Sequence, residues 1–448
     1  MDAQVALPGL VCSESRVALA QAAPIGTPAA AEPPRLHRPD RCQTFFEPVN
    51  LDERLPAGHR ARVVWAVVER LDLSQFQEPL VNRGSTPGRP AIDPALLVAL
   101  WLYATIENVG SARRLARLCD ELAAYRWLCG GVRVNHHTLS DFRVQHDVAL
   151  DELFTQLLTA LAAQGLVTLE RLSQDGLRVR ASAGASSFRR RETLERLRAA
   201  ARAQIARVKT ELKAEDDTTP RQKAARQRAA QEKLVRVERA LAVLPELEAI
   251  KQHATGKPSR QRAARVSTTD AEARRMKLPG GAIQPAYNVQ FGTDVASRAI
   301  VAVDVVNTGS DAQQSAPLRQ QAERRTGRPV KEHLFDGGFV KKDLIGAAEA
   351  RGVAIYAPLP KNRAGQPCTA ERHDSPGVVT WRRRMTTPEG LKIYHQRAAT
   401  AETVNAETRT YRGLGSFAVR GLRKVRCVAL WAALEYNVVH FGAQLMTT

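Results

Sequence analysis

The sequence is poor in aromatic residues and has its few cysteines widely separated. Aromatic residues make up only 5% of the 448 residues, so a row of side chains that stack on nucleic-acid bases is not expected. The six cysteines form no C-x-x-C pair, which excludes a zinc ribbon by spacing and argues against a disulfide framework in so long a chain. We therefore expect buried, reduced thiols and a cytoplasmic location.

Long apolar runs and a recognisable leader are also missing. The longest apolar stretch, Pro94 to Ile106, is too short to cross a bilayer of about 30 Å. The first residues contain Asp2 and scattered prolines instead of a charged segment followed by an apolar run, so no signal peptide is expected. The ten histidines show no H-E-x-x-H spacing, which removes a common zinc-enzyme motif. We expect no membrane partner.

Positive charge, by contrast, is in excess. The chain has 66 Lys and Arg residues against 46 Asp and Glu residues, a formal net charge of +20. Such an excess is typical of proteins with a polyanionic partner, most often nucleic acid, although an anionic membrane surface would attract it too. The hydrophobic fraction of 44% is ordinary for a soluble globular protein, and the length corresponds to about three domain-sized units.

Patterning divides the chain into three regions. Residues 1–40 are rich in Ala and Pro and are predicted to be a disordered arm. Residues 41–166 have helical periodicity, with Asp93 as the expected cap of a buried helix. Arginines on one side of these helices fit a DNA-binding helix-turn-helix, and the same pattern fits an all-helical packing or dimerisation module. Residues 167–448 alternate strands and helices, which predicts an α/β domain.

A long helical segment is expected inside that third region. Residues 189–265 are dominated by Ala, Arg, Glu, Lys and Leu, with Pro220 between two halves. This composition predicts two antiparallel helices of coiled-coil type followed by a basic connector. We expect the charged side chains of these helices to face solvent; the alternative is that they contact DNA. Further on, residues 361–390 are expected to be irregular, and helices are expected over 391–409 and 421–441.

Three carboxylates in separate elements are candidates for chemistry. Asp175 lies inside a predicted strand, where aspartate is disfavoured, and Asp336 ends another strand before two glycines. Glu402 lies in a late helix. Carboxylates that converge in this way could bind Mg²⁺ and support an in-line phosphoryl displacement. Taken singly, each is better explained as a cap or a surface charge, and five other carboxylates are equally available: Asp270, Asp294, Asp304, Asp311 and Glu407.

Several stretches carry a resemblance to one family. They are QDG with VRAS at 174–182, PAYNVQ at 285–290, FDGGF at 335–339, the segment Tyr394 to Arg409, and FAVRGLRKV at 417–425. Through them, residues from about 90 to 440 resemble a DDE-type insertion-sequence transposase of the broad IS-five-like group. The helices around Thr138 to Arg143 are similar to the helical domain that precedes the catalytic domain in this group.

The resemblance implies a ribonuclease H-like, mixed-sheet catalytic fold in which Asp175, Asp336 and Glu402 are the catalytic residues and metal ligands. The implied cofactor is Mg²⁺ or Mn²⁺, as two ions. Those ions would activate the attacking water or 3′-hydroxyl and stabilise the leaving oxygen, so no Ser/His or Cys/His pair is needed.

The same resemblance implies DNA or phosphate contacts from three residues of the late helix, Tyr394, Arg397 and Arg409. Arg409 stands where related proteins often have a lysine, seven residues after Glu402. Seven residues turn a helix through nearly two turns, so Arg409 still shares a face with Glu402. The spacing from Tyr394 and Arg397 to Glu402 is one residue longer than in the best-known version of the motif.

The implied function is metal-dependent cleavage at the ends of a mobile element and strand transfer into target DNA. The expected partners are the terminal inverted repeats, target DNA, and a second copy or more of the chain on DNA. The expected location is a bacterial-type cytoplasm, in association with the nucleoid. Two alternatives remain at this point: a DNA-binding protein with a degenerate catalytic domain, and a nuclease of the same fold without strand transfer.

Overall fold

The first half of the molecule is built from helices. A computed structural model describes residues 50–79, 90–214, 219–252 and 263–446, so the predicted arm at 1–40 and most of the basic connector lie outside the described residues. Before the first strand the described chain forms α1 (Arg60–Val68), α2 (Ser74–Gln77), α3 (Pro94–Ile106), α4 (Ala112–Glu121), α5 (Ala123–Cys129), α6 (His136–Gln145) and α7 (Asp147–Ala163). The predicted cap of α3 is confirmed, because the carboxylate of Asp93 accepts a hydrogen bond from the backbone N–H of Ala95 at 2.8 Å.

The second half combines a sheet with further helices. In chain order they are β1 (Arg171–Arg180), β2 (Phe188–Arg189), α8 (Arg191–Ala214), α9 (Pro220–Gln252), β3 (Val266–Ser267), β4 (Arg274–Lys277), β5 (Ile283–Asp294), β6 (Ile300–Val306), α10 (Ser315–Thr326), β7 (Glu332–Leu334), α11 (Lys342–Glu349), β8 (Ala354–Tyr356), α12 (Pro376–Met385), α13 (Pro388–Arg397), α14 (Thr403–Tyr411) and α15 (Leu422–Met446). The chain is therefore mixed α/β with a helical N-terminal region, as predicted. None of the described helices is both long enough and apolar enough to span a bilayer.

The main sheet mixes antiparallel and parallel pairs. Its order is β8-β7-β1-β5, and both β4 and β6 pair with β5. Strands β1, β5 and β6 are antiparallel neighbours, whereas β7 is parallel to β1 and β8 is parallel to β7. The parallel strands β7 and β8 are joined through α11, the crossover helix that such a pair needs, and α10 leads from β6 into β7.

Helices α8 and α9 form an antiparallel hairpin. Ion pairs join Arg191 to Glu248 and Arg202 to Glu238, so residues early in α8 lie opposite residues late in α9. Thr219 and Gln222 begin α9 with reciprocal side-chain to backbone hydrogen bonds, a capping box placed around Pro220. The predicted helix pair is thus observed, and its status as an insertion into a ribonuclease H-like fold stays a prediction.

One local prediction was wrong. Residues 361–390 were expected to be irregular, yet α12 occupies part of this segment, with Val378, Trp381 and Met385 buried on one face. The glycine and proline at the start of α12 are typical of loops and concealed its helical periodicity. In the N-terminal region, α4 and α5 are separate helices because Leu122 between them adopts an extended conformation.

Helix α15 joins the two halves of the molecule. It packs against α1, α3, α6 and α7 on the helical side and against β6 of the sheet. The side chain of Asn437, fully buried, accepts a hydrogen bond from the N–H of Ile300 at 3.0 Å and donates one to its carbonyl oxygen at 2.8 Å. One amide side chain thereby satisfies both backbone groups at the start of β6. Helices on both sides of residue 166 contribute to one hydrophobic core, and the proposed domain boundary there stays a prediction.

We predict that Asn437→Leu lowers the free energy of unfolding by about 2–5 kcal/mol, because it leaves two buried backbone groups without partners at about 1–3 kcal/mol each. Chemical denaturation of the purified chain measures this. Val439→Ala, at an exposed position two residues along the same helix, is the control and should change stability by less than about 0.5 kcal/mol. Equal effects of the two substitutions would contradict the assigned role of Asn437.

Candidate active site

The pairing of β1 with β7 brings two of the predicted carboxylates together. Ser173 pairs with Leu334 in a parallel register, so two residues further along each chain Asp175 and Asp336 lie at the same level. Neighbouring strands are about 4.8 Å apart, and an equal step of two residues keeps the side chains on the same face. The sequence placed Asp336 at a strand end but contained no information about this register.

Local hydrogen bonds orient both aspartates. Asp336 follows β7 and caps a short turn, its Oδ1 accepting a hydrogen bond from the N–H of Gly338 at 2.8 Å. Asp175 lies within β1, and its Oδ1 accepts from the N–H of Gly176 at 2.9 Å. Its second oxygen accepts a hydrogen bond from Nδ2 of Asn405 at 3.1 Å, which connects the strand to α14.

The electrostatics of Asp175 show that the third carboxylate is close. Burial raises the pKa of Asp175 to about 6; the charge of Arg397 lowers it, and the charges of Asp336 and Glu402 raise it again. The structure therefore brings Asp336 and Glu402 into electrostatic range of Asp175. Glu402 is the most exposed of them, with 52% of its side chain accessible.

Arg397 lies between two of these carboxylates. One guanidinium nitrogen lies 3.6 Å from Oδ2 of Asp175, and the other is paired with Oε1 of Glu402. Burial lowers the pKa of Arg397, but Asp175, Tyr394 and Glu402 outweigh this effect and raise it above its usual range. Arg397 thus remains charged and acts as the counter-ion of the acidic group.

A π-helical turn explains how Arg397 and Glu402 meet. Residues 398–402 form this turn between α13 and α14, within an otherwise continuous helical path. A π-turn contains one residue more than an α-helical turn, and such turns are frequent at functional sites. The turn therefore accommodates the extra residue between Arg397 and Glu402. Glu402 follows Arg397 by five positions, and the two side chains still share one face of the helical path.

The remaining predicted residues lie beside this cluster. Tyr394 is half-buried against the core, one helical turn before Arg397. Arg409 donates a hydrogen bond to the carbonyl oxygen of Arg178 at 3.5 Å, and both arginines line a cavity of about 460 Å³ that also includes Gly176 and Lys277. A basic cavity thus adjoins the residue that follows Asp175.

One of the five alternative carboxylates, Asp311, lies beside this cluster. Asp311 is buried in the loop between β6 and α10, where its Oδ1 accepts hydrogen bonds from Asn288 at 2.6 Å and Gln290 at 2.7 Å. A β-carbon at Gly176 would lie 2.8 Å from Asp311, and one at Gly338 would lie 3.5 Å from it. Asp311 therefore packs against the glycine that follows Asp175 and the turn that follows Asp336. The sequence contained one indication of this contact, the two amide side chains Asn288 and Gln290 in the PAYNVQ stretch. Their carboxylate partner, Asp311, lies in a loop whose sequence has no periodicity.

Other candidate carboxylates have structural partners away from the cluster. Asp270 accepts a hydrogen bond from the hydroxyl of Tyr287 at 2.8 Å, and Asp294 accepts one from the N–H of Leu169 at 3.1 Å. Glu407 is paired with Arg412 at 2.8 Å. These contacts distinguish Glu402 from Glu407, a choice that spacing alone left open.

The donor set fits a divalent cation. Carboxylate oxygens are the ligands that Mg²⁺ and Mn²⁺ prefer, and the pKa of Asp175 is raised mainly by burial, a cost to its charged form that a bound cation would offset. Within the described residues no three acidic, His or Cys side chains already form a metal-binding cluster; Glu402 is instead paired with Arg397. Binding of metal by all three carboxylates requires Glu402 to turn away from Arg397.

Comparison with protein-family models gave two matches. Residues 49–145 match a transposase domain (DUF772), and residues 361–441 match a transposase DDE domain. The second range contains Glu402 and Arg397, whereas Asp175 and Asp336 lie outside both matched ranges. No curated protein and no solved structure matches the chain significantly. Because an N-terminal and a C-terminal match agree, they support the identification of this chain as a DDE-type insertion-sequence transposase.

Proposed function

We propose that this transposase cleaves phosphodiester bonds at the ends of its mobile element and transfers the freed strands into target DNA. The single observation that carries this proposal is the position of Asp175, which lies in electrostatic range of Asp336 and Glu402 and shares the counter-ion Arg397 with Glu402. Three carboxylates from a strand, a strand end and a helix form a group with the composition needed for metal-assisted phosphoryl transfer.

A ribonuclease H-like catalytic fold is part of this proposal. It is supported by a sheet in which three antiparallel strands, β6, β5 and β1, continue into two parallel strands, β7 and β8. We assign residues 167–448 to this domain, with 189–265 as a helical insertion. Residues 41–166 would form the helical DNA-binding or dimerisation domain.

Asp175, Asp336 and Glu402 would hold divalent ions, which we propose to be two Mg²⁺ or Mn²⁺. When bound, such ions lower the pKa of an attacking water or hydroxyl and stabilise the leaving oxygen. Asn405 would keep the Asp175 carboxylate oriented toward the site through the bond to its Oδ2. Asp311 would restrict the backbone positions of Gly176 and Gly338 by packing its carboxylate against both glycines.

The cationic side chains would hold the DNA backbone. Arg409, Arg178 and Lys277 surround the cavity next to Gly176, where a phosphate flanking the scissile bond would be bound by charge-assisted hydrogen bonds. When DNA binds at the site, Arg397 would release Glu402 and contact a DNA phosphate instead, because the carboxylate and the phosphate are both anionic. Tyr394 would contact the same strand from the preceding helical turn.

The proposed partners are the terminal inverted repeats, target DNA and further copies of the chain assembled on DNA. The proposed location is the bacterial-type cytoplasm, on the nucleoid. Incubation with DNA from both flanks of the reading frame tests the activity. Joined products that contain target DNA would favour a transposase over a nuclease without strand transfer, and binding without cleavage in Mg²⁺ or Mn²⁺ would favour a degenerate catalytic domain.

We predict that Asp175→Asn or Asp336→Asn abolishes cleavage, a loss greater than the roughly 10–100-fold that follows removal of an outer-shell partner of a metal ligand. Each substitution removes a charged oxygen donor and keeps the side-chain shape. Gel-based cleavage of end DNA in Mg²⁺ measures the loss, and DNA binding in EDTA should stay within a few fold of the unaltered protein. Full cleavage by either variant would refute the site.

We predict that Glu402→Gln removes cleavage whereas Glu407→Gln leaves it within a few fold. The two residues lie on one helical path, but Glu402 interacts with Asp175 and Arg397, and Glu407 interacts with Arg412 and His440. The second variant therefore serves as the matched control for the first. The opposite result would transfer the third ligand position to Glu407.

A further inference from the structure

A second basic cavity lies away from the three carboxylates. Its volume is about 610 Å³, and it lies between the start of α4, the exposed side of α6 and the segment 418–424 that leads into α15. Four basic side chains line it: Arg113, Arg143, Arg420 and Lys424. We call it the α4–α6 cavity.

Negative charge is absent from the described lining of this cavity. The other side chains at its wall are small, apolar or imidazole, and His136 and His137 are stacked with ring centroids 4.1 Å apart. In the described part of the chain none of the four basic residues forms an ion pair with a carboxylate. A concave site with one sign of charge concentrates the field and attracts a counter-ion from outside the protein.

Arg143 is the most deeply placed of the four. Its guanidinium lies 4.6 Å from the ring centroid of Trp101 and donates a hydrogen bond to the carbonyl oxygen of Gly110. Its Nε is buried without a hydrogen-bond partner, and burial lowers the pKa of the side chain to about 10. A buried guanidinium with an unused donor is costly unless an anion completes its contacts.

The start of α4 adds to the attraction of an anion. Ser111 caps this ten-residue helix by accepting a hydrogen bond from the N–H of Arg114 at 3.4 Å, and Ser111 also lines the cavity. The positive end of the helix dipole therefore lies at a site that already contains an arginine whose Nε has no hydrogen-bond partner.

The cavity contacts the chain segment that follows β1, the strand that carries Asp175. Nε of Arg420 donates a hydrogen bond to the carbonyl oxygen of Ser182 at 3.1 Å, two residues after the end of β1. One wall of the cavity is thereby tied to the end of this strand.

We propose that the α4–α6 cavity binds backbone phosphates of duplex DNA, apart from the bond that is cut. The inference rests on the proposed function, because it gives the DNA substrate a second point of attachment. A phosphate contact fixes the position of the duplex without reading its sequence.

Binding of a fluorescent duplex of arbitrary sequence to the full-length chain, in EDTA and over a range of salt concentrations, tests the proposal. We expect Arg113→Gln with Lys424→Gln to weaken binding roughly tenfold and to reduce the slope of log K against log salt by about 2, one unit for each lost phosphate contact. Both residues are exposed, so the double variant should fold. Arg126→Gln with Arg239→Gln removes the same charge at exposed positions outside the cavity and is the matched control.

Equal binding and equal slopes for the two double variants would overturn the cavity assignment. A change of oligomeric state in the cavity variant with unaltered DNA affinity, measured by light scattering, would also overturn it, in favour of a protein contact. Because EDTA prevents metal-dependent cleavage, these outcomes are independent of the catalytic test. Loss of cleavage in every condition, with the cavity effect retained, would refute the proposed function instead.

Discussion

The parallel pairing of β1 with β7 is the constraint on which the candidate site depends. It places Asp175 and Asp336 on adjacent strands at one level, and two like charges at that spacing repel each other unless a cation lies between them. Arg397 supplies the positive charge in this structure by contacting Asp175 and Glu402. The π-turn at residues 398–402, which directly follows Arg397, packs against β1 and β5 and so holds Arg397 and Glu402 beside the strand of Asp175.

Much of this arrangement could be predicted from local pattern. The alternating residues of β1, the strand end at Asp336 and the late helix all follow from periodicity and turn chemistry, because each depends on neighbours in the sequence. The resemblance then selected Asp175, Asp336 and Glu402 from a larger set of carboxylates. The family match over residues 361–441 is consistent with that selection for Glu402.

What could not be predicted depends on residues distant in the chain. Asp311 reaches the site only because β5 presents Asn288 and Gln290 to a loop more than twenty residues further on. The same residues could form an α-helical turn or a π-turn, so local composition does not predict which one occurs. The π-turn is the form observed here, where Arg397 contacts Asp175. Helix α12 was missed because its buried stripe follows a glycine and a proline, residues that normally indicate a loop.

The packing of α15 couples the N-terminal helices to the sheet. This helix contacts α1, α3, α6 and α7 and also β6, and all of them contribute to one hydrophobic core. A substitution that displaces α15 would therefore disturb α6, which lines the α4–α6 cavity, together with the start of β6, where Asn437 is bound.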